Sequence, residues 1–468
     1  MTDAFDLVVI GAGPAGEKGA AQAAYFGKRV AIVEREPVPG GAAVQTGTLP
    51  SKTLRETSLF LSGYRQRDLY GVTVNVSPDL AVSKLLARKD AVREIETARV
   101  VLNIDRHGIA SVRGNACFVD AHTVEVSSEG GTRRLTAEAF LISTGSSPYR
   151  PPGIPYEDRD VHDSDGILRI DRLPTSLTVL GGGVIGCEYA SMFAALGVRI
   201  RVVDGRARLL PFLDEEMGER LLGAMAKLGV EFHLEATAEE TRRDDGRGLV
   251  TRLTSGDELE SDMLLVASGR TGNTRSLNLD AIGVEVDARG YIVVDEDYRT
   301  AVPSVYAAGD VIGFPALAST SMEQARVAVC HAFGFTYKRQ VSELLPYGVY
   351  TIPEVSCVGL GEQETEGRGI DVVVGRAFFR DNARGQIIGD EDGVIKLVFD
   401  RSSRRLIGCH CIGERASELV HVGQAVITLG GTVETFIEMV FNHPTLGETY
   451  KYAAYDALDE LGPAETSS

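Results

Sequence analysis

Short apolar runs, each leading into a glycine-rich turn and then an alanine-rich helical pattern, organise the first half of the chain. Residues 6–10 (Asp-Leu-Val-Val-Ile) form one such run, and the pattern after it leads to a second run that ends at Glu34. Residues 177–180 begin a similar unit, whose second run ends at Asp204. Apolar runs of this length between turns and helices predict the strands of a parallel sheet. The repeat therefore predicts an α/β fold with two strand–turn–helix–strand units.

Each of the two units carries three glycines at its turn, spaced as G-x-G-x-x-G. They are Gly11, Gly13 and Gly16 in the first unit, and Gly181, Gly183 and Gly186 in the second. In such turns the first glycine permits a tight bend, the second lets the backbone approach a pyrophosphate, and the third lets the helix pack on the strand. The free N–H groups at the start of the helix then attract the phosphates. One motif of this kind is weak evidence, whereas two in the same setting predict two nucleotide-binding units.

An acidic residue ends the second strand of each unit and follows the first glycine by the same 23 residues. These acids are Glu34 and Asp204, and each is placed to accept hydrogen bonds from an adenosine ribose. Asp204 favours NAD, because a carboxylate repels the additional phosphate of NADP. Arg206 and Arg208 follow closely, and guanidinium groups bind phosphates well. If the second unit holds a pyridine nucleotide, the combination predicts that it binds both NAD and NADP, unless the arginines only solvate a surface loop.

Composition and charge narrow the possible partners. The chain has 468 residues, of which 44% are hydrophobic, enough for two or three domain cores. Its net charge of −18 argues against nucleic acid and anionic membrane surfaces as partners. No apolar run approaches the roughly 20 residues of a membrane span, and a strand pattern begins almost at once, which leaves no room for a leader peptide. We therefore expect a cytoplasmic protein without membrane insertion.

The six cysteines are scattered along the chain. They are Cys117, Cys187, Cys330, Cys357, Cys409 and Cys411. None forms a C-x-x-C pair or shows the spacing of a zinc site, so no metal is predicted. In a reducing compartment such thiols are usually buried packing residues. Cys409 and Cys411 have strand spacing, which predicts that both point to the same face of a sheet.

The segment over residues 40–52 reads Gly-Gly-Ala-Ala-Val-Gln-Thr-Gly-Thr-Leu-Pro-Ser-Lys. It resembles the active-site segment of the pyridine nucleotide–disulfide oxidoreductases, Gly-Gly-x-Cys-x-x-x-Gly-Cys-x-Pro-x-Lys, whose two cysteines form a redox-active disulfide beside a flavin. Here those positions hold Ala43 and Thr48, which cannot accept two electrons as a disulfide does. The resemblance therefore implies a flavoenzyme that is not a disulfide reductase, from which electrons leave the flavin by another route.

The same resemblance implies which unit holds which nucleotide. Residues 300–310 match a T-x-x-x-x-x-[YF]-A-x-G-D stretch that closes the FAD site in this family, with Asp310 on the ribityl chain. The first unit then binds FAD, with Gly145 in the turn after its last strand, and the inserted second unit binds NAD(P), with Gly269 in the corresponding turn. The implied architecture is two Rossmann-like dinucleotide-binding domains followed by an α+β dimerisation domain. Its expected boundaries are 1–150 and 275–345 for the FAD domain, 151–274 for the NAD(P) domain and 346–468 for the dimerisation domain.

Further charged residues match the redox centre of this family. Lys52 matches a lysine beside the flavin, and Glu188 matches the carboxylate that pairs with it near flavin N5, where a cation stabilises the reduced ring. His443 and Glu448 match the acid–base pair of an H-P-T-x-x-E motif, which the partner subunit of a homodimer supplies. Without the thiols, His443 is either a base for a different acceptor or a structural remnant at the dimer interface.

Several other stretches resemble one branch of this family, the soluble pyridine nucleotide transhydrogenases. They are residues 47–55, 184–191, 212–217, 269–274, 309–313, 350–354 and 413–416. This branch implies ping-pong transfer of hydride between NADPH/NADP and NADH/NAD through bound FAD, in a homodimer or a higher oligomer. A second hypothesis is an NAD(P)H:quinone or dye oxidoreductase of the same fold, in which a quinone takes the place of the disulfide. A third is a flavin-bearing sensor or complex subunit without turnover.

Overall fold

The computed structural model describes residues 2–64 and 78–462. The first part of the chain, up to residue 148, begins with the predicted strand–turn–helix–strand unit. It ends with a short strand that lies outside the first sheet. Its elements are β1 (Thr2–Ile10), α1 (Pro14–Tyr25), β2 (Val30–Glu34), α2 (Gly41–Gln45), α3 (Thr48–Ser62), α4 (Pro78–Arg106), β3 (Ala110–Arg113), β4 (Asn115–Asp120), β5 (Thr123–Ser128), β6 (Gly131–Ile142) and β7 (Ser146–Pro148). The apolar runs at the ends of β1 and β2 are buried from Leu7 to Ile10 and from Val30 to Val33, as expected for parallel strands covered on both faces.

The second unit repeats this design around its own parallel sheet. Its elements are β8 (Val161–Asp163), β9 (Ser176–Leu180), α5 (Val184–Ala195), β10 (Arg199–Asp204), α6 (Glu215–Lys227), β11 (Val230–Leu234), β12 (Ala238–Asp244), β13 (Gly248–Leu253), β14 (Glu258–Ser261) and β15 (Met263–Val266). The parallel strands lie in the order β11-β10-β9-β15-β8, and β12, β13 and β14 form a separate antiparallel sheet. The two units therefore share one local architecture.

After the second unit the chain returns to the first sheet. The elements of this return are β16 (Arg270–Gly272), β17 (Val305–Ala307) and α7 (Ala318–Phe333). Strand β16 pairs with β7, so the outgoing and returning segments run side by side, and β17 then adds in parallel to β6. The first sheet has the order β3-β2-β1-β6-β5-β4, with β17 beside β6. A strand from beyond residue 300 thus completes the sheet that carries the first glycine turn. The exact domain boundaries stay predictions.

The last part of the chain forms an antiparallel sheet covered by helices. Its elements are β18 (Tyr347–Val349), β19 (Glu354–Gly359), α8 (Glu362–Gly367), β20 (Val372–Phe378), α9 (Ala383–Ile388), β21 (Val394–Asp400), β22 (Leu406–Gly413), α10 (Ala416–Thr428), α11 (Val433–Glu438) and α12 (Thr449–Leu461). The strand order is β18-β19-β22-β21-β20. Cys409 and Cys411 both lie on β22 and are fully buried in the core of this sheet, which confirms their predicted packing role. The α/β fold with two Rossmann-like units and an α+β C-terminal domain is confirmed.

A buried charge cluster joins the second unit to the C-terminal sheet. Lys396 of β21 is completely buried. Its ammonium lies 2.8 Å from Asp214, the residue before α6, 2.8 Å from Glu362 and 3.3 Å from Glu216. Burial opposes the charge on Lys396, but these carboxylates outweigh it and raise its pKa. The cluster fixes the start of α6 against the C-terminal domain.

Within residues 2–64 and 78–462, no helix is both long enough and apolar enough to cross a membrane.

Candidate nucleotide and redox site

The first glycine of each predicted turn adopts a backbone conformation that favours glycine. Gly11 has a φ of +105° and Gly181 a φ of +110°. A Cβ on Gly11 would lie 2.4 Å from the carbonyl oxygen of Ser143, and one on Gly181 would lie 2.4 Å from that of Ala267. A side chain is therefore excluded at both positions by strain and by contact with the neighbouring strand end.

The second and third glycines of each turn differ in what surrounds them. A Cβ on Gly16 or Gly186 would lie 1.8 Å from the carbonyl oxygen of the first glycine of its own unit, so the helix can pack there only without a side chain. A Cβ on Gly183 would meet nothing within 4 Å, and one on Gly13 would meet only the Gly41 Cα, at 3.7 Å. Helices α1 and α5 begin beside this space without a side-chain cap. Both turns thus leave room and free N–H groups for a phosphate.

The acid of the first unit holds the glycine turn and borders a cavity. The carboxylate of Glu34 accepts hydrogen bonds from the N–H groups of Ala12, at 2.8 Å, and Glu36, at 2.9 Å. The cavity beside it is lined mainly by apolar side chains, including Ile32 and Ile104. An apolar slot next to a carboxylate suits an adenine ring and its ribose.

The acid of the second unit differs, because its carboxylate is fully occupied. Asp204 accepts from the N–H of Gly182 at 2.6 Å and of Arg206 at 2.8 Å, and it also accepts from the Arg206 guanidinium at 2.8 and 2.7 Å. Burial opposes ionisation of Asp204, but these donors outweigh it and lower its pKa. The sequence predicts Asp204 as a ribose acceptor and Arg206 as a phosphate-binding residue. In the structure the two side chains are paired with each other, and their roles toward a nucleotide stay predictions.

Asp310 lies where β17 brings residues 300–310 back to the first unit. It begins a one-turn 3-10 helix over Asp310–Ile312, and it accepts a hydrogen bond from the Ser146 hydroxyl at 3.0 Å. Arg270 donates to that hydroxyl at 2.7 Å and to the Ser146 carbonyl oxygen at 2.7 Å. Gly145 and Gly269, which precede Ser146 and Arg270, have φ values of +69° and +104°. The two predicted turn glycines therefore lie at opposite ends of the antiparallel β7–β16 pair, Gly145 beside Asn273 and Gly269 beside Tyr149.

The predicted lysine–glutamate pair lies between the first and second units. Lys52 of α3 places its ammonium 2.7 and 2.9 Å from the two carboxylate oxygens of Glu188 on α5. The N–H of Tyr350 donates to Glu188 at 3.0 Å, and the Tyr350 ring centroid lies 4.7 Å from the Lys52 ammonium. Glu188 is buried, whereas Lys52 is partly exposed. Glu188 and Tyr350 therefore orient the Lys52 ammonium at the point where α3, α5 and the segment that contains Tyr350 meet.

Arg55 is a supporting residue that the sequence did not identify. It lies one helical turn after Lys52, is buried, and donates from Nε to the Thr351 carbonyl oxygen at 2.9 Å. Its guanidinium also lies 2.9 Å from Glu354. Arg55 and Tyr350 both fall in stretches that resemble the transhydrogenase branch, so the resemblance marked them without giving their roles.

The segment over residues 40–52 packs directly on the first glycine turn. A Cβ on Gly41 would lie 2.8 Å from the Cα of Gly13. Ala43 lies in α2, and Thr48 is the first residue of α3 and is exposed. The structure therefore packs this segment on the turn predicted to bind a pyrophosphate, with a methyl group and a hydroxyl at the two positions where the resemblance implies thiols.

His443 and Glu448 form a pair on the surface of the C-terminal domain. The Nδ1 atom of His443 lies 3.0 Å from both carboxylate oxygens of Glu448. Burial opposes ionisation of Glu448, but hydrogen bonds from His443 and from the Thr445 N–H outweigh it and lower its pKa. Because an ionised carboxylate only accepts, Nδ1 carries the proton and Nε2 is left as the basic nitrogen. No hydrogen bond or ion pair joins this pair to Lys52 or Glu188 within the described part of the chain.

Two glycine turns, each at the end of a parallel strand, with an oriented cation between them, are the features of a protein with two Rossmann-like dinucleotide-binding units. Comparison with known proteins specifies the family. The family described as "Pyridine nucleotide-disulphide oxidoreductase" matches residues 5–332, and its dimerisation domain matches residues 345–454. The chain belongs to the pyridine nucleotide–disulphide oxidoreductase family. It is a flavoprotein oxidoreductase that uses FAD and a pyridine nucleotide.

Named relatives match over nearly the whole chain. A soluble pyridine nucleotide transhydrogenase of Mycobacterium bovis is 45% identical over 460 residues, which cover 98% of each chain. A protein of the same name from Aliivibrio fischeri is 40% identical over 461 residues, again 98% of each chain. Among solved structures, the HOCl-induced flavoprotein disulfide reductase RclA from Escherichia coli superimposes with a TM-score of 0.86 at 27% identity, covering 96% of this chain and 98% of that one.

Proposed function

We propose that this protein is a FAD-dependent NAD(P) transhydrogenase, which passes hydride between NADPH/NADP and NADH/NAD by a ping-pong mechanism. The observation that carries the proposal is the second unit, where one acid and two arginines occupy the position that selects between NAD and NADP. The segment over residues 40–52, which packs on the first glycine turn, contains no thiol, so it offers no disulfide acceptor. The relatives at 40 and 45% identity carry the transhydrogenase name.

The first unit fits FAD. The open space at Gly13 and the uncapped start of α1 would receive the pyrophosphate, and Glu34 with its apolar cavity would receive the adenosine. Asp310, oriented by Ser146, would hold the ribityl chain. When bound, FAD accepts hydride from one nucleotide and returns it to another. Lys52, oriented by Glu188, would supply positive charge beside the ring, where it favours the reduced form.

The second unit would alternate between the two nucleotides. Gly183 and the start of α5 offer the pyrophosphate site. For NAD, the Asp204 carboxylate would accept the ribose hydroxyls once the Arg206 guanidinium moves aside. For NADP, Arg206 would turn to the 2′-phosphate or stay on Asp204 and neutralise its charge, and Arg208 would add a second cation. This arrangement requires no covalent nucleophile, because the protein provides alignment and electrostatics.

The dimerisation domain supports a homodimer, in which the His443–Glu448 pair would come from the partner subunit. We assign this pair a structural role at the interface, since its thiol partner is replaced by Ala43 and Thr48. We do not propose a quinone as the final acceptor, because no contact in the described residues marks a quinone site. Reoxidation of the flavin by a quinone is a result that would contradict the proposal. The proposal also places the enzyme in the cytoplasm, where its thiols would stay reduced.

Steady-state kinetics test the proposal. Purified FAD-loaded enzyme should transfer hydride from NADPH to thio-NAD⁺, and double-reciprocal plots at several acceptor concentrations should be parallel, since one nucleotide leaves before the other enters. Lipoamide and glutathione disulfide should not be turned over. Intersecting plots would contradict the ping-pong mechanism, and turnover of either disulfide would contradict the assignment of the 40–52 segment.

Replacement of Arg206 by alanine tests its place in dual recognition. We expect affinity for NADP⁺ to fall roughly 10- to 100-fold, because one charge-assisted contact is lost and the Asp204 charge is no longer neutralised. Affinity for NAD⁺ should be unchanged or higher, since the Asp204 oxygens are freed. Nucleotide titration of the oxidised enzyme measures both. Arg201→Ala, on strand β10 that leads to the Arg206 loop but paired with Glu231, is the control and should alter neither affinity. Equal losses of affinity for NADP⁺ and NAD⁺ would contradict the assignment of Arg206 to the 2′-phosphate.

A further inference from the structure

The arginine loop, residues 205–214 between β10 and α6, packs against the second glycine turn. Leu209 is buried, and its Cδ2 would lie 2.6 Å from a Cβ placed on Gly182. Gly182 also donates its N–H to Asp204. The loop thus lies on the turn predicted to hold the pyrophosphate, and Arg206 and Arg208 stand on the chain close to this contact. Both arginines are therefore near the adenosine end of the nucleotide site.

Each of these arginines is held by a carboxylate. Arg206 is paired with Asp204, as described above, and the guanidinium of Arg208 lies 3.1 Å from the carboxylate of Glu215. Both side chains of the second pair are about two-fifths exposed, at 41% and 42%. Glu215 is the first residue of α6, so the loop that begins beside Asp204 ends beside Glu215.

The two carboxylates differ in what else they do. Asp204 also binds the glycine turn and is placed to accept a ribose. Within the described residues, Arg208 is the only ion-pair partner of Glu215. Its neighbours Asp214 and Glu216 are paired with the buried Lys396 instead. The Glu215–Arg208 pair is therefore a separate, half-exposed ion pair, which an incoming anion can reach.

We propose that Glu215 competes with the 2′-phosphate of NADP(H) for Arg208 and so weakens the binding of NADP(H) without affecting NAD(H). The inference rests on the proposed function, in which both nucleotides use this site. A 2′-phosphate must draw Arg208 away from Glu215 or share it, and it also meets the negative charge of Glu215. NAD(H) carries no such phosphate and leaves the pair intact.

This competition suits a ping-pong enzyme with one shared site. Contacts of the arginines with the 2′-phosphate act equally on the oxidised and reduced forms of NADP(H), because hydride transfer does not change that phosphate. Such uniform binding lowers KM without lowering the barrier to hydride transfer. It would also slow the departure of NADP⁺, and NAD⁺ cannot enter until that departure. Glu215 is in this view a specificity-determining residue that keeps the two nucleotides exchangeable.

The test is the affinity of FAD-loaded enzyme for NADP⁺ and NAD⁺, read from flavin fluorescence during titration. The chain contains no tryptophan, so no energy transfer from an indole contributes to this signal. We expect Glu215→Gln to lower the dissociation constant of NADP⁺ about two- to fivefold, the range of an exposed ion pair, and to leave that of NAD⁺ unchanged. Unchanged NADP⁺ affinity, or equal tightening for both nucleotides, would overturn the proposal.

Two further variants isolate the route through Arg208. Glu219→Gln removes the same charge one turn further along α6, and it should leave both affinities unchanged. If it tightened NADP⁺ binding as much as Glu215→Gln, the effect would come from net charge alone, and the proposal would be overturned. In an Arg208→Ala background, Glu215→Gln should lose its effect, as a double-mutant cycle requires for a coupled pair. Persistence of the full effect would show that Glu215 acts without Arg208.

The binding readout separates this inference from the proposed function. Absence of transhydrogenation in the unmodified enzyme would contradict the proposed function, while selective tightening of NADP⁺ by Glu215→Gln would still support the role of Glu215. Absence of measurable NADP⁺ binding to the unmodified enzyme would overturn both.

Discussion

Replacement of Lys52 by methionine is expected to slow reduction of the bound flavin by NADH about 100-fold, the scale on which loss of one preorganised charge acts. The reason is the geometry at the meeting of α3 and α5, where Glu188 and Tyr350 orient the Lys52 ammonium. Under the proposed function, negative charge that develops on the flavin would then lose the compensation that this cation supplies. Anaerobic stopped-flow absorbance of the flavin under saturating NADH measures the rate directly.

Two companion variants separate charge from structure. Lys52→Met alone leaves Glu188 buried without its partner, which is destabilising in itself. The double variant Lys52→Met/Glu188→Gln removes that orphan charge and keeps an amide oxygen for the Tyr350 N–H, so it should regain stability and remain slow. Lys52→Arg keeps the cation and should recover most of the rate. A reduction rate unchanged in Lys52→Met, or fully restored in the double variant, would contradict the electrostatic role.

The largest expected effect on stability follows from replacement of Lys396 by methionine. The buried carboxylate of Asp214 would lose its ammonium partner, and removal of one member of a buried pair costs about 3–5 kcal/mol. The free energy of unfolding by urea, measured with bound FAD, should fall by that amount. Because the cluster fixes the start of α6, NADP⁺ affinity should fall as well.

Lys227 provides a matched control for this experiment. Its ammonium pairs with Asp392 and so bridges the same two parts of the chain, from α6 to the C-terminal domain, but its side chain is 69% exposed. Lys227→Met should therefore cost less than about 1 kcal/mol. Equal losses of unfolding free energy in the two variants would show that the burial of Lys396 does not determine how much its ion pairs contribute to stability.

The local architecture was readable from the sequence because it depends on residues close together in the chain. The apolar runs, the two glycine turns and the acids after the second strands follow rules of spacing and sterics, and the structure has them where they were expected. The positive φ of Gly11 and Gly181 and the tight packing of Gly16 and Gly186 give these glycines distinct roles. Lys52 and Glu188, 136 residues apart, were matched by family resemblance rather than by spacing.

The sequence could not show which charged side chains form ion pairs with each other in the folded chain. Arg206 was an expected phosphate clamp, yet in the folded chain it satisfies Asp204, because a buried carboxylate gains more from a paired guanidinium than from water. Lys396 reads as an ordinary strand residue, and only the tertiary fold brings Asp214 to it across 182 positions. Tyr350 likewise reaches Glu188 through a loop of a separate domain. Such long-range pairings leave no local pattern.

The most direct test of the central claim is anaerobic and uses the two half-reactions separately. FAD-loaded enzyme is first reduced with NADPH, freed of nucleotide, and then mixed with thio-NAD⁺ or with a soluble quinone while flavin absorbance is followed. Transhydrogenase function predicts rapid reoxidation by thio-NAD⁺ and slow reoxidation by the quinone. Reoxidation by the quinone, with little or none by thio-NAD⁺, would contradict that function. The segment over residues 40–52, which contains Ala43, would then be the candidate quinone site.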